Sequence, residues 1–157
     1  LARPTEVAEA AWDEFDLEKA VWRIPAQRMK ARKEHVVPLP RQAVEMLKGL
    51  HAITGNRKHL FPGRDDRNAP MSAASLRQAL KVFGLSGAYS PHATRTSGST
   101  RLNEMGYRPD AIEAQLAHAD QNNVRRTYNH ATYFDERRAM MQEWADRLDE
   151  WKEQAQA

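Results

Sequence analysis

Apolar residues recur along this chain at two spacings. Val7, Ala10 and Ala11 share one face of a helix predicted from Pro4 to Trp12, with Pro4 in its first turn. The period then shortens. Phe15-Asp16-Leu17 is an extended run. Ala20-Val21-Trp22-Arg23-Ile24-Pro25 is another, alternating and rich in branched and aromatic residues. A polar stretch from Gln27 to Glu34 separates them from His35-Val36-Val37-Pro38-Leu39, which Pro40 closes. These runs predict two or three short antiparallel strands, with a basic connection between the last two. Helical spacing returns over 40–52, where Ala43, Val44, Leu47 and Leu50 line one face. His59 to Gly63 predicts a short buried strand or turn. Gly63 to Pro70 predicts a loop, because Arg64, Asp65, Asp66, Arg67 and Asn68 are too polar to bury.

Ser72 is placed to cap a helix reaching about Phe83. Gly84, Gly87 and Pro91 interrupt the chain before a helix from about His92 to Met105, which Gly106 ends. Pro109 opens another helix, carrying Ile112, Gln115 and Leu116. A short segment, Asn122 to Asn129, leads to a last helix from about Phe134. There Met141, Trp144, Leu148 and Trp151 form an apolar stripe at three- and four-residue spacings. Core packing is the ordinary use of such a stripe; part of this one is expected to be exposed in an isolated monomer. The predicted fold is mainly α with a small antiparallel β-sheet near the N-terminus (α+β).

The length of 157 residues fits one domain, and 41% hydrophobic residues suffice for a modest core. No run of about eighteen apolar residues is present, so no membrane partner is expected. The first residues carry neither an apolar core nor a cleavage-site pattern, and the chain starts abruptly at a helix start, as a piece of a longer protein would. The absence of cysteine removes disulfides and thiolate zinc sites and fits a reducing, cytoplasmic setting.

The net charge of +3 says little, but its distribution says more. Residues 135–153 hold seven acids and four bases, which leaves 20 of the 24 bases and 14 of the 21 acids to the first 134 residues. Arg23, Arg28, Lys30, Arg32 and Lys33 lie in one stretch without an acid. A basic body with an acidic tail suits a polyanionic partner, although a solvated surface of mixed charge gives the same totals.

No Gly-rich phosphate loop and no Gly-x-Ser-x-Gly elbow is present. The six histidines do not pair at the spacing of helical zinc ligands, so neither metal nor cofactor is expected. What remains is a scattered basic set with one tyrosine. His92-Ala93-Thr94-Arg95 at a helix start places residues three apart on one face, beside the helix's own positive end, which suits a phosphate. His118 at a helix end and Tyr128, ten residues on, could meet. Lys30, between two strands, could reach into a groove of DNA. Glu6, three residues after Arg3, could cap the first helix or orient the arginine. Taken singly, each has an ordinary explanation: a capping or core histidine, a packed tyrosine, a solvated turn.

In order, these pieces resemble the tyrosine recombinase family, the phage-type integrases. The family pattern is Arg followed three residues later by Glu, a hairpin Lys, His-x-x-Arg, a Leu-Gly-His-like triplet and a nucleophilic Tyr. Here these are Arg3 with Glu6, Lys30, His92 with Arg95, Leu116-Ala117-His118 and Tyr128. The runs Arg28 to Leu39 and Leu102 to Gly106 are especially similar to integrases of prophages and genomic islands. Ala117 stands where the family usually has Gly, and Ala93-Thr94 replaces a frequent Gly-Phe.

The resemblance implies the C-terminal catalytic domain of an integrase, spanning 1–157, without the arm-binding and core-binding domains. It implies cleavage and rejoining of double-stranded DNA at attachment sites through a 3′-phosphotyrosyl link. Arg3 and Arg95 would clamp the scissile phosphate and His118 would donate to one of its oxygens. His92 would take the tyrosine proton, Lys30 would protonate the leaving 5′ oxygen, and Tyr128 would attack. Arg28, Arg32 and Lys33 would contact DNA. Partners would be other protomers in a tetramer on DNA and directionality or bending factors, in association with a bacterial nucleoid. Tyr133 is the rival nucleophile. Alternative readings are a relaxing topoisomerase of type IB chemistry and a non-catalytic DNA-binding remnant.

Overall fold

The alternating run around Trp22 forms the centre of a three-stranded sheet. The computed structural model describes residues 1–85, 89–118 and 133–156. In it β1 (Phe15–Asp16), β2 (Val21–Ile24) and β3 (His35–Pro38) pair antiparallel in that order. Phe15 lies opposite Trp22, which lies opposite Val37. The Phe15 and Trp22 rings stack with centroids 5.2 Å apart. Trp22 and Ile24 are buried while Arg23 between them is exposed, as the period of two requires.

Helix α1 (Pro4–Ala8) precedes the sheet and α2 (Arg41–Thr54) follows it. Leu47 and Leu50 of α2 pack on a core of Ala10, Trp22, Ile24, Met29, Val37 and Leu60. Next come α3 (Ala73–Val82), α4 (Ala93–Glu104), α5 (Pro109–Leu116) and α6 (Phe134–Gln156). Leu102, Ile112, Leu116, Met140, Met141 and Trp144 form a second core between α4, α5 and α6. Burying each of these larger side chains contributes about 1.5–3 kcal/mol. The Ser72 side chain caps α3, accepting from the Ser75 N–H at 3.2 Å.

The first helix is shorter than its pattern suggests. Ala11 is extended and bridges to His59, and the Trp12 N–H donates to the Lys58 carbonyl at 3.0 Å. The Trp12 indole N–H donates to the Thr54 carbonyl at 3.0 Å. The Lys58 carbonyl takes the Trp12 backbone N–H that a longer helix would have used. The stripe on the last helix divides. Met141 and Trp144 are buried, whereas Leu148 and Trp151 stay exposed, with Trp151 edge-on to Trp144 at 5.9 Å. The expected partial exposure is what the fold has. Among the described residues no helix is long and apolar enough to cross a membrane.

Buried polar groups lock α6 and α5 to the sheet. Arg137, 3% exposed, donates to the Gln115 side-chain oxygen at 2.9 Å and to the Val36 carbonyl at 2.7 Å. Burial pulls the pKa of Arg137 down to about 10. His35 faces the Gln115 carbonyl at 3.2 Å, so its Nε2 carries the proton and donates. Burial, with the Arg137 charge nearby, lowers the His35 pKa from 6.5 to about 4. Protonation is therefore easier in the unfolded chain than in the fold. The stabilisation is complete above about pH 6.5 and falls as the pH drops towards 4, by roughly 2 kcal/mol at pH 5. His35→Gln keeps a donor without the titration. Its denaturation midpoint should drop less between pH 7 and pH 5 than that of the unsubstituted chain. Equal drops would place the acid sensitivity elsewhere.

Candidate active site

Arg3 sits at the N-cap of α1, and both carboxylate oxygens of Glu6 hold it. One accepts the Arg3 backbone N–H at 2.6 Å and the other its guanidinium at 2.6 Å. Glu6 thus does both tasks that its spacing suggested, capping the helix and orienting the arginine. Glu6 is 5% exposed, and the Arg3 side chain is 26% exposed. The second arm of the guanidinium donates to the Ala117 carbonyl at 3.2 Å.

Arg95 approaches the same edge from α4. It is 5% exposed and donates to the Leu116 carbonyl at 2.7 Å and to the Leu1 carbonyl. Burial first, and the Arg3 charge second, hold its pKa below the ordinary arginine value. Its Nη2 also lies 3.2 Å from Nε2 of His118, whose Nδ1 lies 2.7 Å from a Glu113 carboxylate oxygen. Gly98, one turn after Arg95, lets the Leu1 side chain lie against α4; a Cβ there would collide with it. Two guanidiniums and an imidazole thus converge where α5 ends. The helix offers its carbonyls and negative dipole end to these cations. Among the described residues the hydrogen-bond partners of Arg95 are carbonyl oxygens and an imidazole, none of which carries a negative charge.

The end of α5 decides this geometry. The His118 N–H bonds to the Glu113 carbonyl at 3.1 Å and the Ala117 N–H to the Ala114 carbonyl at 3.3 Å, the two bonds of a Schellman motif. Ala117 must then be left-handed, at φ 50°. The same motif ends α4 with Gly106 at φ 85°, where Tyr107 bonds to Leu102 and Gly106 to Asn103. Glycine adopts this conformation at no steric cost, which explains why a Gly is common in the triplet. Ala117→Gly should stabilise the chain by about 0.5–1 kcal/mol, read as a higher denaturant midpoint. An unchanged or lower midpoint would mean that packing of the Ala117 methyl on the sheet core outweighs the strain.

The other candidates are placed differently. His92 is the exposed N-cap of α4, and its carbonyl accepts the Arg95 N–H at 3.0 Å. Arg95 turns inward from the same turn, so the two side chains diverge in burial. Lys30 is exposed at a turn that begins at the buried Met29 and closes with the Arg32 N–H on the Met29 carbonyl at 3.0 Å. Arg32 and Lys33 are exposed on the same connection. Arg28, expected as a DNA contact, has partners within the chain. It ion-pairs with Glu14 and donates to the Glu6 carbonyl at 2.5 Å, pinning the connection to α1. The fold thus places Arg28 against an acid, unlike the exposed Arg32 and Lys33. Tyr128 lies outside the described residues. Tyr133 is half-buried under the Arg108 guanidinium, 5.0 Å from its ring centroid.

Sequence reasoning missed Glu113, Gln115, Arg137 and His35 as structural partners. A Glu five residues before a His across a helix end is a signal in hindsight, since a Schellman turn folds those two positions together. Among the described residues no group of three His, Asp or Glu side chains is placed to hold a metal ion.

The prophage integrase IntA of Escherichia coli (strain K12) is 47% identical over 146 residues, covering 93% of this chain and 35% of that protein. This chain therefore spans about a third of that curated relative. The integrase from mycobacterium phage Brujita has a similar structure, with TM-score 0.64 at 19% identity over 89% of this chain and 46% of that one. The Tn1549 transposon integrase, solved in complex with transposon right end DNA, has TM-score 0.61 at 20% identity, covering 91% and 54%. The sequence profile of the phage integrase family matches residues 1–134. With the profile covering most of the chain, the chain belongs to the phage integrase family.

Proposed function

We propose that this chain is the catalytic domain of a site-specific tyrosine recombinase, which cuts and rejoins DNA at attachment sites of a prophage or genomic island. The observation that carries the reading is the convergence of Arg3, Arg95 and His118 at the end of α5. A buried guanidinium whose hydrogen bonds among the described residues go to carbonyl oxygens and an imidazole offers a seat for an anion, and a scissile phosphate fits it. Clamping by two arginines offsets the charge that builds on the pentacoordinate phosphorus, so the step proceeds without a metal.

In this reading the Tyr128 oxygen bonds to phosphorus as the bond from phosphorus to the 5′ oxygen breaks. The tyrosine proton passes to His92 and Lys30 supplies one to the leaving 5′ oxygen. The 3′-phosphotyrosyl link retains the phosphodiester energy, so a second 5′-hydroxyl reverses the step without ATP. Lys30 suits its task because the buried Met29 fixes the base of the exposed turn that presents it. Arg32 and Lys33 meet the DNA backbone from the same turn. Partners are double-stranded DNA, further protomers in a tetramer, and directionality or bending factors.

The test is a nicked duplex carrying the attachment sequence, offered to the chain alone and extended to the length of its relatives. Loss of the fragment beyond the nick traps the covalent intermediate. A protein–DNA adduct is expected. Relaxation of supercoiled DNA lacking any attachment site, with no adduct on the nicked duplex, would overturn the recombinase reading for the topoisomerase one.

A further inference from the structure

The groups around His118 fix more than its place. Arg95 has only N–H groups to offer, so the His118 Nε2 that faces it must present a lone pair. Glu113 has only acceptor oxygens to offer when ionised, so Nδ1 must carry the proton. The ring is thereby held as its Nδ1–H tautomer. The Schellman turn brings the two residues together: the Glu113 carbonyl takes the His118 backbone N–H at 3.1 Å while its carboxylate takes the ring at 2.7 Å. One residue thus grips both the backbone and the side chain of His118.

We propose that Glu113 is a positioning residue of this site, fixing the tautomer and orientation of His118 so that its Nε2 lone pair faces Arg95; the ring becomes a donor to an incoming phosphate on taking a second proton at Nε2, while Nδ1–H stays on Glu113. The proposal rests on the phosphate-pocket reading above. Glu113 does not touch the phosphate; it acts through the ring, as the carboxylate partners of active-site histidines do elsewhere. Free imidazole distributes its proton between two nitrogens. Without Glu113 the ring turns freely about its side-chain bonds, and Nε2 can carry the proton and face away from Arg95.

Long-range proton–nitrogen NMR on the chain, with its histidines labelled with nitrogen-15, reads the tautomer directly. The His118 Nδ1–H form should dominate by about tenfold or more. Glu113→Ala leaves Arg95 to select the tautomer without it, so it should weaken that bias severalfold and slow adduct formation on the nicked duplex by about 10–100-fold. Glu113→Gln retains an acceptor oxygen and should keep both the bias and, within about threefold, the rate. An unchanged tautomer in Glu113→Ala, or a Glu113→Gln as slow as Glu113→Ala, overturns the proposal. Titrating inorganic phosphate into the wild-type sample tests the pocket separately. A shifted Nε2 signal supports both claims. A preserved tautomer bias with no response at Nε2 overturns the phosphate pocket, whereas a lost bias with a phosphate response overturns only the role of Glu113.

Discussion

Tyr128→Phe should leave DNA binding intact and abolish the covalent protein–DNA adduct, a loss on the order of 10⁴-fold or more in strand cleavage. The reason is chemical rather than structural. Phenylalanine has no oxygen to bond to phosphorus. A phenol is a poor nucleophile at neutral pH because its pKa lies near 10, so it depends on surrounding positive charge. Arg3 and Arg95 supply that charge at the end of α5. Tyr133→Phe is the natural control. Its ring packs beneath Arg108, and phenylalanine preserves the packing, so cleavage should remain within a few-fold. If instead Tyr133→Phe removes the adduct and Tyr128→Phe does not, the nucleophile has been misassigned.

Arg95→Lys should lower strand cleavage by about 10²–10³-fold while the fold persists. Arginine donates at once to the Leu1 and Leu116 carbonyls and toward His118, with five N–H groups in a rigid plane. Lysine keeps the charge but has three donors on a flexible stem. It can satisfy a carbonyl or meet a phosphate oxygen, not hold both in fixed geometry. Arg95→Ala adds a structural cost. It leaves buried carbonyls without donors, worth about 1–3 kcal/mol each, so its loss of activity would mix two causes. The lysine variant separates them when its thermal midpoint is followed alongside its rate. Wild-type cleavage by Arg95→Lys would reduce Arg95 to a charge without directional function. A collapsed thermal midpoint would make it a structural residue first.

Local signals carried much of this fold. Period-two alternation placed Trp22 and Ile24 in the sheet core, and Ser72, Gly106 and Pro109 marked helix ends through their own backbone chemistry. The end of α1 was not legible, because long-range partners at Thr54, Lys58 and His59 decide where it stops. In the site, residue types and order pointed to Arg3, Arg95 and His118, but not to their common anchor. That anchor is a pair of carbonyls at a helix end, which every residue possesses and no side chain announces. The pairing of Arg28 was hidden for a related reason. A base in a basic run looks free until the fold brings Glu14 beside it, and only tertiary structure reveals that pairing. Glu113 was silent because its partner lies across a left-handed turn rather than one helical turn away.

The most direct test of the account is to locate the DNA on the trapped adduct. Trypsin releases Tyr128 and Tyr133 together in the peptide Thr127–Arg137, so backbone fragmentation of that peptide in a mass spectrometer must assign the nucleotide remnant. The account predicts the remnant on Tyr128. A remnant on Tyr133, on another peptide, or on no peptide at all would contradict it.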